Sequence, residues 1–245
     1  MAPERIISVV DPDARHGHRS RADRYDGYKI HLTVDQDSDL ICAVETTRAT
    51  SLDADALCDL LEADPVTVTE MMGDTAYGSG QTRVEMLNKN VELVAPARPA
   101  SGKRGKFTKN DFSIDLETGT VTCPAGHTVS PRRHSESADR FQFRFPADVC
   151  AGCSRRGSCT DSPRGRTLTI GPHEASLQQA RAERWTPEFR DRYRQRARVE
   201  RKAAQIKFRN PKIPWRGLPK AQAWIRLRAA ALNLDRIGRL GLLPA

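Results

Sequence analysis

Two apolar, β-branched runs, residues 27–34 (GYKIHLTV) and 40–46 (LICAVET), are separated only by a short segment containing Asp35, Gln36, Asp37 and Ser38. Runs of that length, broken by turn-forming residues, predict an antiparallel hairpin. Residues 51–62 then place Leu52, Ala56 and Leu60 at helical spacing behind Ser51, a suitable N-cap. Residues 66–72 (VTVTEMM) read as a strand, 81–90 as a short helix and 91–96 (VELVAP) as a further strand. The order hairpin, helix, strand, helix, strand predicts an α/β core. Upstream, residues 5–10 (RIISVV) predict a short strand closed by Asp11, Pro12 and Asp13, and residues 14–26 a polar loop. Cys42 and Cys58 fall on the strand and helix patterns, which makes them core residues.

A chain of 245 residues has room for one large domain or for a core with an insertion. Residues 96–106 (PARPASGKRGK) carry no periodicity and mark an internal boundary. The expected division is a first core part at 1–96, a linker and cysteine-rich insertion at 97–165, and a helical part at 166–245. Net charge is +9, which points to a polyanionic partner, nucleic acid being the commonest. No apolar run approaches the roughly 20 residues of a membrane-spanning helix, and residues 1–10 lack the organisation of a signal peptide.

Two acids stand out. Asp74 follows the 66–72 strand directly, in Gly73-Asp74-Thr75-Ala76-Tyr77-Gly78, and the carboxyl end of a strand is where open α/β sheets place ligands. An ordinary turn, with Asp74 as a cap, explains the same residues. Glu200 belongs to the row Tyr193, Arg196, Glu200, Lys207, whose spacing puts the four within about 60° of one helix face. Residues 181–209 hold eleven Lys and Arg against four acids. A solvated basic face accounts for that charge, but Val199, Ala203 and Ile206 form an apolar stripe beside the row, which puts it at the edge of a buried flank. Residues 208–217 add a proline-rich basic loop with Trp215, and residues 220–240 an amphipathic helix with Trp224, Leu227, Ala231 and Leu234 on one stripe.

The Tyr193-Arg196-Glu200-Lys207 spacing and the Gly-Asp followed by Tyr-Gly after a strand resemble the DDE transposases of bacterial insertion sequences, in their C-terminal portion. The resemblance implies a ribonuclease H-like core, here without its first strand and first carboxylate. Asp11 is a geometric stand-in for that carboxylate, and a source upstream of this chain is the expected alternative. It implies Asp74 and Glu200 as catalytic acids holding two Mg2+ or Mn2+ ions, because hard cations prefer oxygen ligands. Arg196, Lys207 and Tyr193 would hold DNA phosphate. Water would first free a 3′ hydroxyl at the transposon end, and that hydroxyl would then attack target DNA. Double-stranded DNA, a homodimer on it and a cytoplasmic, nucleoid-associated location follow from the same resemblance. A catalytically inactive DNA-binding remnant is the second reading, and a zinc-ribbon regulator the third.

Cys123, Cys150, Cys153 and Cys159 comprise one CxxC pair and two separate thiols, enough for a tetrahedral structural zinc, with His127 as a candidate substitute ligand. With CPAGH, the set resembles the cysteine-bearing insertion of the insertion-sequence 1182 group. Reduced free thiols and a redox CxxC are the alternatives.

Overall fold

The computed structural model describes residues 5–18, 22–208 and 212–242; residues 209–211 of the basic loop fall outside the described residues. The chain is mixed α/β. In chain order its elements are β1 (Arg15–His18), β2 (Arg24–Val34), β3 (Ile41–Arg48), α1 (Ala56–Ala63), β4 (Glu70–Met72), α2 (Gly80–Asn88), β5 (Glu92–Val94), β6 (Ser113–Asp115), β7 (Thr120–Thr122), β8 (Thr128–Val129), β9 (Pro131–Ser135), β10 (Arg140–Arg144), α3 (Ala147–Ala151), α4 (Arg156–Cys159), β11 (Thr167–Ile170), α5 (Glu174–Glu183), α6 (Pro187–Tyr193), α7 (Ala197–Lys207) and α8 (Leu218–Arg239). They form two compact units. The first comprises Met1–Tyr77, Asn90–Val94 and Arg190–Ala245, the second Gly78–Lys89 and Ala95–Phe189.

In the first unit, β2 and β3 form the expected hairpin, with Tyr28 opposite Arg48 and Leu32 opposite Val44. Its turn is closed by Asp35, whose carboxylate accepts from the backbone N–H and hydroxyl of Ser38. Both faces of β3 are covered, which is why ICAV is apolar without alternation. Ala43 packs with Ala56 and Leu60 of α1, while Ile41 and Val44 pack with Ile206 of α7 and Ile225 and Ala229 of α8. The free edge of β3 is bonded by α8: Asn233 donates to the Ile41 carbonyl and accepts from its N–H, both at 2.8 Å, and Gln222 donates to the Val44 carbonyl.

Several expectations change. Among the described residues, 5–10 pair with no strand, and Val9 is 94% exposed; apolar composition alone does not make the run a strand. The expected loop at 14–26 instead supplies β1, antiparallel to the first part of β2. Helix α1 begins only at Ala56, after a tight turn at Asp53–Asp55 in which the Asp55 carboxylate, not Ser51, accepts from the Leu52 N–H. The strand expected at 66–72 is ordered as β only over Glu70–Met72, where it pairs in parallel with β5. On α8 the buried stripe is Ala221, Ile225 and Ala229, and Leu227 is 71% exposed. Small side chains let that face approach β3 closely enough for Asn233 and Gln222 to reach its backbone; Trp224 is half-buried against the same core, while Leu227 is left exposed.

The strands of the first unit do not join into one sheet. β1-β2-β3 is a three-stranded sheet and β4-β5 a separate two-stranded one. The ribonuclease H-like sheet implied by the resemblance is therefore not assembled from these strands.

The second unit has two small antiparallel sheets, β6-β7-β8 and β9-β10-β11. They enclose Phe112, Val121, Phe143, Phe145, Leu168 and Ile170. The turn expected near Glu117–Thr120 joins β6 to β7, with Gly119 at φ 65°, a conformation glycine adopts without strain. Glu174, at the start of α5, is 2% exposed and lies 2.8 Å from both Lys109 and Arg181.

Candidate functional site

The loop after β4 is built by its glycine and tyrosine. The Gly73 N–H still bonds the Val94 carbonyl of β5, and the chain then turns, with Tyr77 donating to the Asp74 carbonyl at 3.1 Å. A Cβ on Gly73 would press on the Tyr77 ring. The Tyr77 hydroxyl meets His31 Nδ1 at 3.0 Å, and His31 Nε2 meets the Thr47 hydroxyl at 2.9 Å. The Asp74 loop is thus tied to the middle of the hairpin. His31 is buried, and that burial lowers its pKa; burial also raises the pKa of Tyr77. Asp74 itself is exposed, one carboxylate oxygen accepting from the Ala76 N–H at 2.8 Å. The turn reading of this residue therefore describes its local geometry.

Tyr193, Arg196, Glu200 and Lys207 do not share one uninterrupted α-helix. Tyr193 ends α6, Arg194–Arg196 form a tighter helical turn, and Glu200 and Lys207 lie on α7. The first three nonetheless touch in series. The Arg196 guanidinium lies 5.3 Å from the Tyr193 ring centre and donates to Glu200 at 2.7 Å. Glu200 stays 60% exposed in this pair. Lys207 is exposed at the end of α7. Of the apolar stripe, Ile206 is fully buried, whereas Val199 and Ala203 are half-buried.

A cleft of about 510 Å³ opens within the first unit, and Asp74, Tyr77, Arg196 and Val199 all line it. Glu200 does not. It sits one position beyond Val199, held by Arg196. Asp11, the stand-in for a first carboxylate, does not line the cleft either. It accepts from the Tyr28 hydroxyl at 2.5 Å and from the Gly217 N–H at the start of α8, beside Asp13, whose bond from the Leu218 N–H lowers its pKa, with Arg48 adding to the effect. These two acids cap α8.

Sequence reading missed two features here. Arg192 donates to Glu70 and Glu92 at 2.5 and 2.8 Å. Those glutamates are directly opposite on β4 and β5, where like charges repel, so the guanidinium both relieves the pair and fixes α6 against the strand ends. Lys202, inside the basic run, is buried and paired with Asp39 at 3.0 Å. Only the register of β4 on β5 and the packing of α7 reveal these partners.

In the second unit, Cys123, Cys150, Cys153 and Cys159 line one small cavity of about 30 Å³, together with His127. All four thiols are free. Burial raises the pKa of Cys159; Arg166 opposes this and the other three cysteines add to it. Arg166 ties the region together by donating to the carbonyls of Cys159 and Phe107. Among the described residues, no group of three or more His, Cys, Asp or Glu side chains is placed so that it could hold a metal ion. This applies to the thiols as they stand, and to the acids at the cleft.

No helix among the described residues is long and apolar enough to cross a membrane. No curated protein and no solved structure matches the chain. Residues 122–238 match the family model described as Transposase DDE domain, a stretch that contains the cysteines, Tyr193, Arg196, Glu200 and Lys207 but not Asp74. That match supports a DDE transposase.

Proposed function

We propose that this chain is the DNA-processing part of an insertion-sequence transposase, with Asp74 and Glu200 as its acids and Tyr193, Arg196 and Lys207 as its phosphate contacts. The observation that carries the reading is the contact series Tyr193–Arg196–Glu200, which lies inside the stretch similar to DDE transposases and delivers Arg196 to the cleft that Asp74 lines. Two exposed carboxylates suit Mg2+ or Mn2+ in donor type, and their number is short of a closed site. A bound ion would supply charge neutralisation at the phosphodiester. The residues themselves would do the rest: Arg196 grips a phosphate through its planar fork while releasing Glu200, Tyr193 stacks on the guanidinium and holds its plane, and Lys207 adds a point charge at the helix end. Double-stranded DNA is the partner, approached by the basic face of α6 and α7.

The test is cleavage of a labelled DNA duplex in Mg2+, with affinity measured in parallel. Glu200→Gln should abolish strand cleavage, a loss of at least ~100-fold, while leaving DNA affinity within about threefold. Arg196→Ala should weaken binding. Equal cleavage by wild type and Glu200→Gln would remove the proposal. A second reading, DNA binding without catalysis, is favoured by the Arg196–Glu200 pair and the short supply of carboxylates; tight binding with no cleavage in Mg2+ or Mn2+ would select it.

We further propose that Cys123, Cys150, Cys153 and Cys159 take a structural zinc. Support comes from four thiols around one cavity whose volume exceeds the ~10–15 Å³ needed for a single water-sized occupant. Binding would require the thiols to draw together and lose protons. Elemental analysis should give one zinc per chain, lost in Cys153→Ser; zinc-free protein with four titratable thiols and unchanged stability would argue for plain reduced cysteines.

A further inference from the structure

The two faces of β2 are built differently. Ile30, Leu32 and Val34 pack into the core shared with α7 and α8. The alternate residues Lys29, His31 and Thr33 are polar, share the other face, and each reaches a connecting segment. Lys29 donates to the Ser51 carbonyl and the Asp53 carboxylate, both at 2.7 Å, and Thr33 donates to Asp64 at 3.3 Å. His31, between them, meets Tyr77. An aliphatic side chain would fill the same space at a smaller desolvation cost, so packing alone does not account for an imidazole that is 4% exposed. What distinguishes the ring is the direction of the bonds its nitrogens make.

Tyr77 is the far end of the Asp74 loop. The near end is fixed by the Gly73 N–H on Val94, the Tyr77 N–H returns to the Asp74 carbonyl, and the Asp74 carboxylate takes the Ala76 N–H. A Cβ on Gly73 would lie 3.0 Å from Cβ and Cδ2 of Tyr77, so the loop backbone is seated on that side chain. The β4–β5 pair that carries the loop is three residues long and shares no sheet with β2. The Tyr77–His31 bond spans the two sheets at 3.0 Å, and Thr47 holds the ring from its other nitrogen at 2.9 Å. Among the described residues the Tyr77 hydroxyl has no hydrogen-bond partner but His31. Burial, with the Asp53 and Asp74 carboxylates, keeps that hydroxyl protonated; it therefore donates to Nδ1, which leaves the ring proton on Nε2, facing Thr47. One tautomer thus satisfies both nitrogens and fixes the Tyr77 ring. His31, Asp74 and Tyr77 all line the one cleft.

We propose that His31 is a positioning residue for the candidate metal site: through Tyr77 it locks the Asp74 loop, so that the Asp74 carboxylate meets a divalent ion already aimed. The inference rests on the reading of Asp74 as a metal ligand and adds to it a residue that acts only through another side chain. Without the Tyr77 bond the hairpin keeps its packed face, while the loop gains freedom that binding must remove again, at a cost in affinity.

Two substitutions separate the ring nitrogens. The amide of Asn reaches the place of Nδ1 and that of Gln the place of Nε2, so His31→Asn keeps a partner for Tyr77 and His31→Gln keeps one for Thr47. Mn2+ binding is read from the loss of the free-ion electron paramagnetic resonance signal, and amide exchange over residues 74–77 is followed in metal-free protein. His31→Gln should raise the Mn2+ dissociation constant at least ~10-fold and speed exchange at 74–77 about tenfold, with exchange over 41–47 unchanged as the sign of an intact hairpin. Tyr77→Phe should do the same, and the double variant no more than either single one. His31→Asn should stay within about threefold of wild type, since the Tyr77 bond survives. Equal damage by His31→Asn and His31→Gln would reduce the ring to a filler of space and overturn the proposal. So would wild-type Mn2+ affinity in His31→Gln when Asp74→Asn has lost it. Mn2+ affinity unchanged in Asp74→Asn would instead remove the metal reading itself, and this proposal with it.

Discussion

His31 shows how a single side chain connects the hairpin to the candidate site. Its ring fills the space between Thr47 and Tyr77, and burial keeps it below the ordinary imidazole range, with the neighbouring carboxylate of Asp53 pulling the other way. The unfolded chain therefore binds the proton more readily than the folded one. Stability linked to His31 is fully present above about pH 6.5 and is lost as pH falls below it. Urea midpoints measured at pH 7.5 and 5.5 should drop more for wild type than for His31→Gln; parallel lines would show that the ring titrates without consequence for folding. Nothing in the local sequence around His31 announces this role, because both of its partners lie on other segments. Asp74 and Glu200, by contrast, stand out from their neighbours: one follows a strand and a glycine, and the other is a lone acid among arginines.

Periodicity and turn chemistry located the elements, and tertiary partners set their limits. The β2–β3 hairpin was readable because Asp35 and Ser38 close it locally. The 5–10 run has the same composition as a strand and forms none, since strand formation needs an edge to pair with. Helix α8 was placed correctly and its face was not: hydrophobicity marked Leu227 and Leu234, while the buried side was chosen by small residues and by the amides that reach β3. Asn233 makes this testable. Its amide satisfies both the N–H and the carbonyl of Ile41, and Asn233→Leu would strand both at a packed interface. The expected cost is about 2 kcal/mol, read from chemical denaturation, with Gln222→Leu costing less because it removes one backbone bond; a neutral Asn233→Leu would mean that water replaces the amide. The tight turn at Arg194–Arg196 was likewise invisible to a spacing argument that assumes one helical period.

At the scale of the molecule, the first unit brings one proposed acid to a cleft and holds the other on the flanking helix, and the second gathers four cysteines around a small cavity. A stretch similar to DDE transposases covers Glu200 and these four cysteines and leaves out Asp74. The central claim is that Asp74 and Glu200 act together in holding the divalent metal ions. Iron-directed hydroxyl-radical cleavage tests it most directly: Fe2+ is bound in place of Mg2+, ascorbate and peroxide are added, and the cut positions in the polypeptide are mapped. The account predicts backbone cuts beside residue 74 and beside residue 200 in the same sample, both sets suppressed by Mg2+ and both lost in Asp74→Asn as well as in Glu200→Gln. Cuts at one acid that survive substitution of the other, or cuts at neither, would contradict it.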